Sequence, residues 1–311
     1  MTVLLTGASG FVGRAVLQTA QQRGIEIRPV FRTVASAKGQ PEAVLVPELD
    51  GHAEWSYALH GVDVVVHTAA RAHVMREEAL DPFTEYRRVN VQGTANLARQ
   101  AATAGVQRFV YISSIKVNGE STVLGHPFTA DDIPAPEDAY GFSKAEAEAE
   151  LTRVAQETGM EVTIIRPPLV YGPGVKGNFA SLLNGVHRGL PLPLGGVTRN
   201  RRSLVSLANL VDLILLCAEH PNAANQTFLV SDGEDLSTTE LLRRIGKTLN
   251  RPARLFWVPA GLISFAANLL GKKVISQRLL GSLQVDIRKT CELLNWKPSV
   301  VVDEGLRKAV E

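Results

Sequence analysis

The feature that most constrains this chain is a glycine-spaced turn at its very start. Thr6-Gly7-Ala8-Ser9-Gly10-Phe11-Val12-Gly13 follows the apolar run Val3-Leu4-Leu5 and opens a helical pattern. Gly7 permits the tight turn. Gly10 lets the backbone approach a pyrophosphate whose charge sits at the helix N-terminus, and Gly13 allows close helix–strand packing. Glycine spacing alone is weak evidence. The strand–turn–helix context at the head of a βαβ series gives it meaning. Gly7, Ser9, Gly10, Phe11, Val12 and Gly13 are therefore candidate dinucleotide contacts.

The series continues. Short apolar runs occur at Ile25–Phe31, Ala43–Val46, Val62–His67, Phe109–Ile112 and Val162–Ile165. Most are continuously apolar, as strands buried on both faces should be. Asp81-Pro82 reads as a cap and first helical position, with the helix running towards Ala104. Another helix is expected from Tyr140 to Thr158, stopped by Gly159. After Arg166 the texture becomes rich in Pro and Gly, and Ser237-Thr238-Thr239-Glu240 reads as a capping box. The expected fold is α/β, a Rossmann-type doubly wound parallel sheet with a smaller C-terminal substrate-binding lobe. Residues 1–166 would bind the dinucleotide, with 205–232 returning to them, and 167–204 plus 233–311 would form the lobe.

A dinucleotide fold usually ends its second strand near an Asp or Glu that holds the ribose hydroxyls. Here Phe31-Arg32-Thr33 occupies that place. No carboxylate opposes a 2′-phosphate and Arg32 can pair with one, so NADP(H) is favoured, with NAD(H) the alternative.

Tyr140-Gly141-Phe142-Ser143-Lys144 lies at the start of the long helix. Positions i and i+4 share a face, so both side chains can enter one cleft. A nearby ammonium would favour the phenolate and lower the phenol's pKa. The same ammonium can hold a ribose hydroxyl. Ser114 falls at the end of the fifth strand, where an open α/β sheet places its ligands.

Composition removes several classes. The formal net charge of +2 shows no bias towards nucleic acid or a membrane surface, and the one dense basic cluster is Arg199, Arg201 and Arg202. Cys217 and Cys291 cannot build a disulfide framework and lack metal-ligand neighbours at short spacing, so neither a metal nor a redox pair is expected. The longest apolar stretch, Val258 to Leu270, contains Pro259, Ser264 and Asn268 and is too short to span a bilayer. No charged and apolar leader is recognised, so the cytoplasm is the expected location.

These motifs together resemble the extended short-chain dehydrogenases/reductases, the family of nucleotide-sugar epimerases, dehydratases and ketoreductases. Further matching stretches are His67-Thr68-Ala69-Ala70, Val89-Asn90-Val91-Gln92-Gly93-Thr94, Tyr171-Gly172-Pro173-Gly174 and Leu294-Asn295-Trp296-Lys297-Pro298. The resemblance implies a catalytic triad of Ser114, Tyr140 and Lys144, with Asn90 near it. It implies that Glu48 and Leu49 meet the adenine, that Ala69 and Ala70 line the cofactor, and that Asn178 and Arg202 contact a nucleoside diphosphate. It also implies a homodimer formed through the helices around Ala95 and Ala149.

The departures narrow the reaction. Ile115 and Lys116 stand where 4,6-dehydratases carry Asp-Glu, which speaks against water elimination. Asn118 replaces a tyrosine, and Leu169 replaces an asparagine that contacts the sugar nucleotide. The wording of Ile112–Glu120 and Phe128–Lys144 is most similar to the 4-epimerase/4-ketoreductase group of bacterial surface-polysaccharide (O-antigen) synthesis. The expectation is an oxidoreductase that reduces a UDP-linked 4-keto-6-deoxy-hexosamine. A UDP-hexose 4-epimerase is the alternative, because an epimerase returns its hydride each cycle and retains NAD. A dinucleotide-binding sensor would be expected to lose Tyr140 or Lys144, and a steroid dehydrogenase has no diphosphate for Arg202 to hold.

Overall fold

The computed structural model describes residues 1–46, 48–72, 81–269, 271 and 273–310. β1 (Thr2–Thr6) runs through the glycine turn into α1 (Phe11–Gln22). β2 (Glu26–Phe31), β3 (Val44–Leu45), α2 (Ser56–Leu59) and β4 (Val64–His67) follow. Next come α3 (Pro82–Tyr86), α4 (Thr94–Thr103), β5 (Arg108–Ile112), α5 (Ala139–Thr158) and β6 (Glu161–Arg166). The second half holds β7 (Leu169–Tyr171), α6 (Gly177–His187), β8 (Arg202–Ser206), α7 (Leu207–Glu219), β9 (Thr227–Leu229) and β10 (Asp235–Leu236). It ends with α8 (Thr238–Thr248), α9 (Ala260–Leu269), α10 (Lys273–Leu280), α11 (Arg288–Leu294) and α12 (Val302–Val310).

Seven of these strands form one sheet in the order β3-β2-β1-β4-β5-β6-β9, with every adjacent pair parallel. The order reverses between β1 and β4, and an open α/β sheet binds ligands beyond its carboxyl edge at that point. Helices cover both faces, so β1 and β4–β6 have almost wholly buried strands. One face packs α1 and α7, with Val16, Leu210 and Ile214 at its centre; the other packs α4 and α5, with Leu97, Ala147 and Leu151. β10, β8 and β7 form a separate three-stranded sheet, and a third core around Tyr171, Phe179 and Leu242 lies on it.

Local signals placed the helix ends. Asp138 caps α5 by accepting from the Gly141 N–H at 2.7 Å, and Gly159 ends it in the left-handed region at φ 77°. The Ser237/Glu240 capping box opens α8. One element has no counterpart in the sequence pattern. Between α3 and α4, Arg87–Gly93 is wound as a π-helix, with Asn90 buried at its middle. Such wide turns occur often at functional sites. No described helix is long and apolar enough to cross a membrane; of the apolar stretch from Val258, Leu270 lies outside the described residues.

Candidate functional site

The glycine turn has the geometry of a phosphate cradle. Gly7 takes φ 70°, and a Cβ there would come within 2.7 Å of the Ala69 nitrogen and the Thr68 hydroxyl. A Cβ on Gly13 would sit 2.1 Å from the Gly7 carbonyl oxygen, so no side chain fits. The helix thus packs against the turn itself as well as the strand behind it. No side chain caps α1 at Gly10, and its first turn carries no acidic residue. The orphan N–H groups of Phe11, Val12 and Gly13 are left for an anion. Ser9 is exposed at the rim, with its carbonyl accepting from Arg14 at 3.3 Å. These residues fit a dinucleotide.

Ala69 and Ala70 continue from the end of β4, half-buried, beside this turn. Leu49 lies beneath the π-helix so closely that a Cβ on Gly93 would meet its backbone at 2.9 Å, while Glu48 is exposed. Arg32 follows the last residue of β2 and is also exposed.

Four candidate catalytic residues gather at the carboxyl end of β5. Ser114 begins a 3₁₀ turn there, its hydroxyl accepting from the Lys116 N–H at 3.3 Å. The first turn of α5 packs onto this turn so tightly that a Cβ on Gly141 would meet the Lys116 carbonyl at 2.9 Å. That contact brings the start of α5, which carries Tyr140, against the turn that begins at Ser114. Lys144, one helical turn on, is buried and donates to the Ile112 carbonyl at 2.7 Å. Its ammonium lies 4.4 Å from the Tyr111 ring centre and 5.9 Å from that of Tyr140. Asn90 donates to Ser143 at 2.9 Å and to the Arg71 carbonyl at 3.1 Å, and it accepts from the Arg71 N–H at 2.8 Å. It therefore ties the π-helix to α5 and to the segment after β4.

Electrostatics here correct one expectation. Lys144 was expected to lower the Tyr140 pKa. Burial instead raises the phenol above its ordinary value, and Asp138 and Tyr86 add to the rise. Lys144 is weakened by the same cause: burial brings its pKa down to about 7, with Glu148 opposing. Desolvation acts against both charged forms and is the largest influence on each. Tyr140 is thus a protonated phenol in the free protein. Deeper still, His67 bridges the hydroxyls of Thr6 at 2.6 Å and Thr94 at 3.0 Å. Its burial, with Lys144 nearby, lowers its pKa to about 3, so it stays neutral.

A buried ion pair braces the back of the site. Arg166 meets Glu148 through two nitrogens, at 2.6 Å and 3.0 Å, and reaches the Asn118 side-chain oxygen at 3.0 Å. Ser113 donates to the same carboxylate. Asn118, where the resemblance led one to look for a tyrosine, is thereby a structural partner of Arg166.

On the three-stranded sheet, Arg202 donates to the Gly281 carbonyl at 3.2 Å. Burial lowers its pKa to about 10, and Arg278 of α10 adds to the fall by like-charge repulsion. Among the described residues no carboxylate pairs with either guanidinium. Glu120 acts on Arg202 the other way, and it also binds Lys116 at 2.6 Å. Glu120 thus links the charge of Arg202 to Lys116 in the turn after Ser114. Arg278 was missed in the sequence because nothing local marks it. Asn178 stands exposed in the first turn of α6 and shares no hydrogen bond with the others among the described residues.

Residues 3–231 fit the family described as the NAD dependent epimerase/dehydratase family. The chain is similar to a UDP-glucose 4-epimerase of Vibrio cholerae, 48% identical, with 100% of this chain and 94% of that protein covered. It is also similar to a 3-beta-hydroxysteroid dehydrogenase of Mycolicibacterium neoaurum, 32% identical over 78% of this chain and 69% of that protein. Among solved structures, the UDP-glucose 4-epimerase of Thermotoga maritima with UDP-glucose superposes with a TM-score of 0.78 at 24% identity, covering 100% and 97% of the two chains. That likeness bears out the α/β fold. The family's description names NAD, and the preference for NADP(H) argued from Arg32 finds no support in it.

Proposed function

The chain belongs to the NAD dependent epimerase/dehydratase family, a branch of the extended short-chain dehydrogenases/reductases, and from that premise we propose that it is a UDP-hexose 4-epimerase. This displaces the ketoreductase expected from the sequence, for which Arg32 was the main argument. The observation that carries the reading is the half-buried Arg202, which feels the like charge of Arg278 and makes no ion pair among the described residues, Glu120 being taken up by Lys116. A diphosphate satisfies both guanidiniums, whereas a steroid offers nothing to either. The 48% identity to an epimerase along the whole chain supports the same choice.

Bound NAD supplies a hydride acceptor and donor at C4 of the sugar. The chain does the rest. Gly7, Gly10 and the first turn of α1 hold the pyrophosphate. Lys144, fixed on the Ile112 carbonyl, orients the nicotinamide ribose. Ser114 hydrogen-bonds the sugar O4. In the NAD complex, with a cationic nicotinamide and Lys144 beside it, Tyr140 would first release its phenolic proton to solvent; as the phenolate it takes the O4 proton when the alcohol is oxidised and gives it back on reduction. Asn90 positions α5 through Ser143. Arg202 and Arg278 keep the diphosphate in place while the ketosugar turns its other face.

The site is expected to work as a homodimer of the family kind, on substrates for surface-polysaccharide synthesis. The test is direct. Protein purified without added cofactor is given UDP-glucose and UDP-N-acetylglucosamine separately. Conversion of either to its 4-epimer supports the reading, and a steady-state requirement for added NADPH would return the ketoreductase.

A further inference from the structure

α9 presents its most apolar face away from the protein. Ile263, Ser264 and Ala267 are half-buried and face inward, with Ile263 packed on the third core. Leu262, Phe265 and Leu269, spaced three and four apart, form the opposite stripe at 59%, 69% and 79% exposed. Phe256 and Trp257 extend it, Trp257 at 73% exposed. The turn bearing them is held in place: the Phe256 N–H donates to the Leu192 carbonyl, and the Phe256 carbonyl accepts from Gly195, both at 3.1 Å. The display is therefore built into the fold.

Charge identifies what covers it. Between Ile245 and Val285 the chain carries Lys247, Arg251, Arg254, Lys272, Lys273 and Arg278, and no Asp or Glu. Arg251 and Arg254 are exposed beside the aromatic turn. A cleft of about 470 Å³ lined by Arg243, Lys247 and Arg251 lies just before it. A second copy of this face would set cations against cations, since a two-fold contact pairs a patch with itself. An exposed apolar helix with a tryptophan, with Arg251 and Arg254 exposed beside it in a segment whose sequence has no acidic residue, matches an anionic lipid surface. The chain-wide net charge of +2 concealed this, because it averages a cationic segment against acidic ones elsewhere.

We propose that α9 and the Phe256-Trp257 turn seat the protein peripherally on an anionic bilayer. The proposal is independent of the epimerase reading. Trp257 is a convenient reporter, because Trp55 and Trp296 are buried at 2% and 4%. The intact protein is mixed with vesicles of phosphatidylcholine alone, or with phosphatidylglycerol added, and followed by co-sedimentation and Trp257 emission. Binding and a blue shift are expected only with phosphatidylglycerol, and both should fall as salt rises. Phe265→Glu should lower partition by at least about tenfold, from the apolar area withdrawn from lipid. Its urea unfolding midpoint should match the wild type, which checks folding. Arg254→Glu should weaken binding by a smaller factor. The proposal is overturned if phosphatidylglycerol vesicles leave the protein in solution, if Phe265→Glu binds them as the wild type does, or if α9 holds two copies together and Phe265→Glu yields monomers.

Discussion

Behind Tyr140, Arg166 and Glu148 are 6% and 7% exposed at their side chains and fully matched, with Ser113 and Asn118 taking up remaining polar atoms. Around Arg202, a half-buried guanidinium feels the like charge of Arg278, and neither has an ion-pair partner among the described residues. Both regions bury charge, and burying charge is costly unless it is matched. The first region is complete without a ligand and serves to hold α5 against β6. The second leaves Arg202 and Arg278 without an ion-pair partner among the described residues, and on the proposed reading a diphosphate completes it. On the proposed reading, the first region preorganises the catalytic residues and the second supplies binding energy for the substrate.

The sharpest way to break this contrast is at Tyr140. Tyr140→Phe should lower turnover by about 10²–10⁴-fold, as loss of a general acid–base does. NAD affinity by calorimetry should hardly change. A mutant with most of its rate intact would take Tyr140 out of the chemistry.

The two regions should also respond oppositely to truncation. Glu148→Ala leaves Arg166 buried and unpaired, at a cost of about 3–5 kcal/mol in urea unfolding. Arg202→Ala relieves repulsion with Arg278, so the ligand-free protein should be no less stable. Its KM for a UDP-sugar should nevertheless rise by about one to two decades, from about 1.5–3 kcal/mol of charge-assisted hydrogen bonding. If Arg202→Ala destabilises the free protein as much as Glu148→Ala, the proposed division between the regions is wrong.

A further contrast is a slope with pH. The Lys144 pKa falls from 10.5 to about 7 on folding. Between those values the unfolded chain holds a proton that the folded chain has lost, so this residue makes stability rise with pH across that window. Below about 7 both states carry the proton, and the penalty of burying the charge is fully present. Lys144→Met should therefore flatten the rise in urea midpoint between pH 7 and 10.5. An unchanged slope would mean that Lys144 titrates normally.

What the sequence made legible was local chemistry. The glycine turn, the Asp138 cap and the Gly159 stop each lie within a few residues of what they control. Tyr140 and Lys144 were readable because a helix fixes their relative direction. Properties that depend on remote neighbours were not. The direction of the Tyr140 shift follows from burial by several elements, which no spacing reports. The π-turn around Asn90 occupies a segment whose residues also suit an ordinary helix. Arg278 meets Arg202 only through the packing of α10 near β8. The outward stripe of α9 was read as an apolar segment, and only the fold shows that it faces away from the core.

The central claim is that hydride leaves C4 and returns to C4 within one bound complex. Protein purified without added cofactor is given UDP-glucose deuterated at C4, and the products are read by NMR. The account predicts UDP-galactose that keeps deuterium at C4, formed with no net change in nicotinamide absorbance. Loss of the label to an added cofactor pool, or a ketosugar that accumulates and consumes NADPH stoichiometrically without forming an epimer, would contradict it.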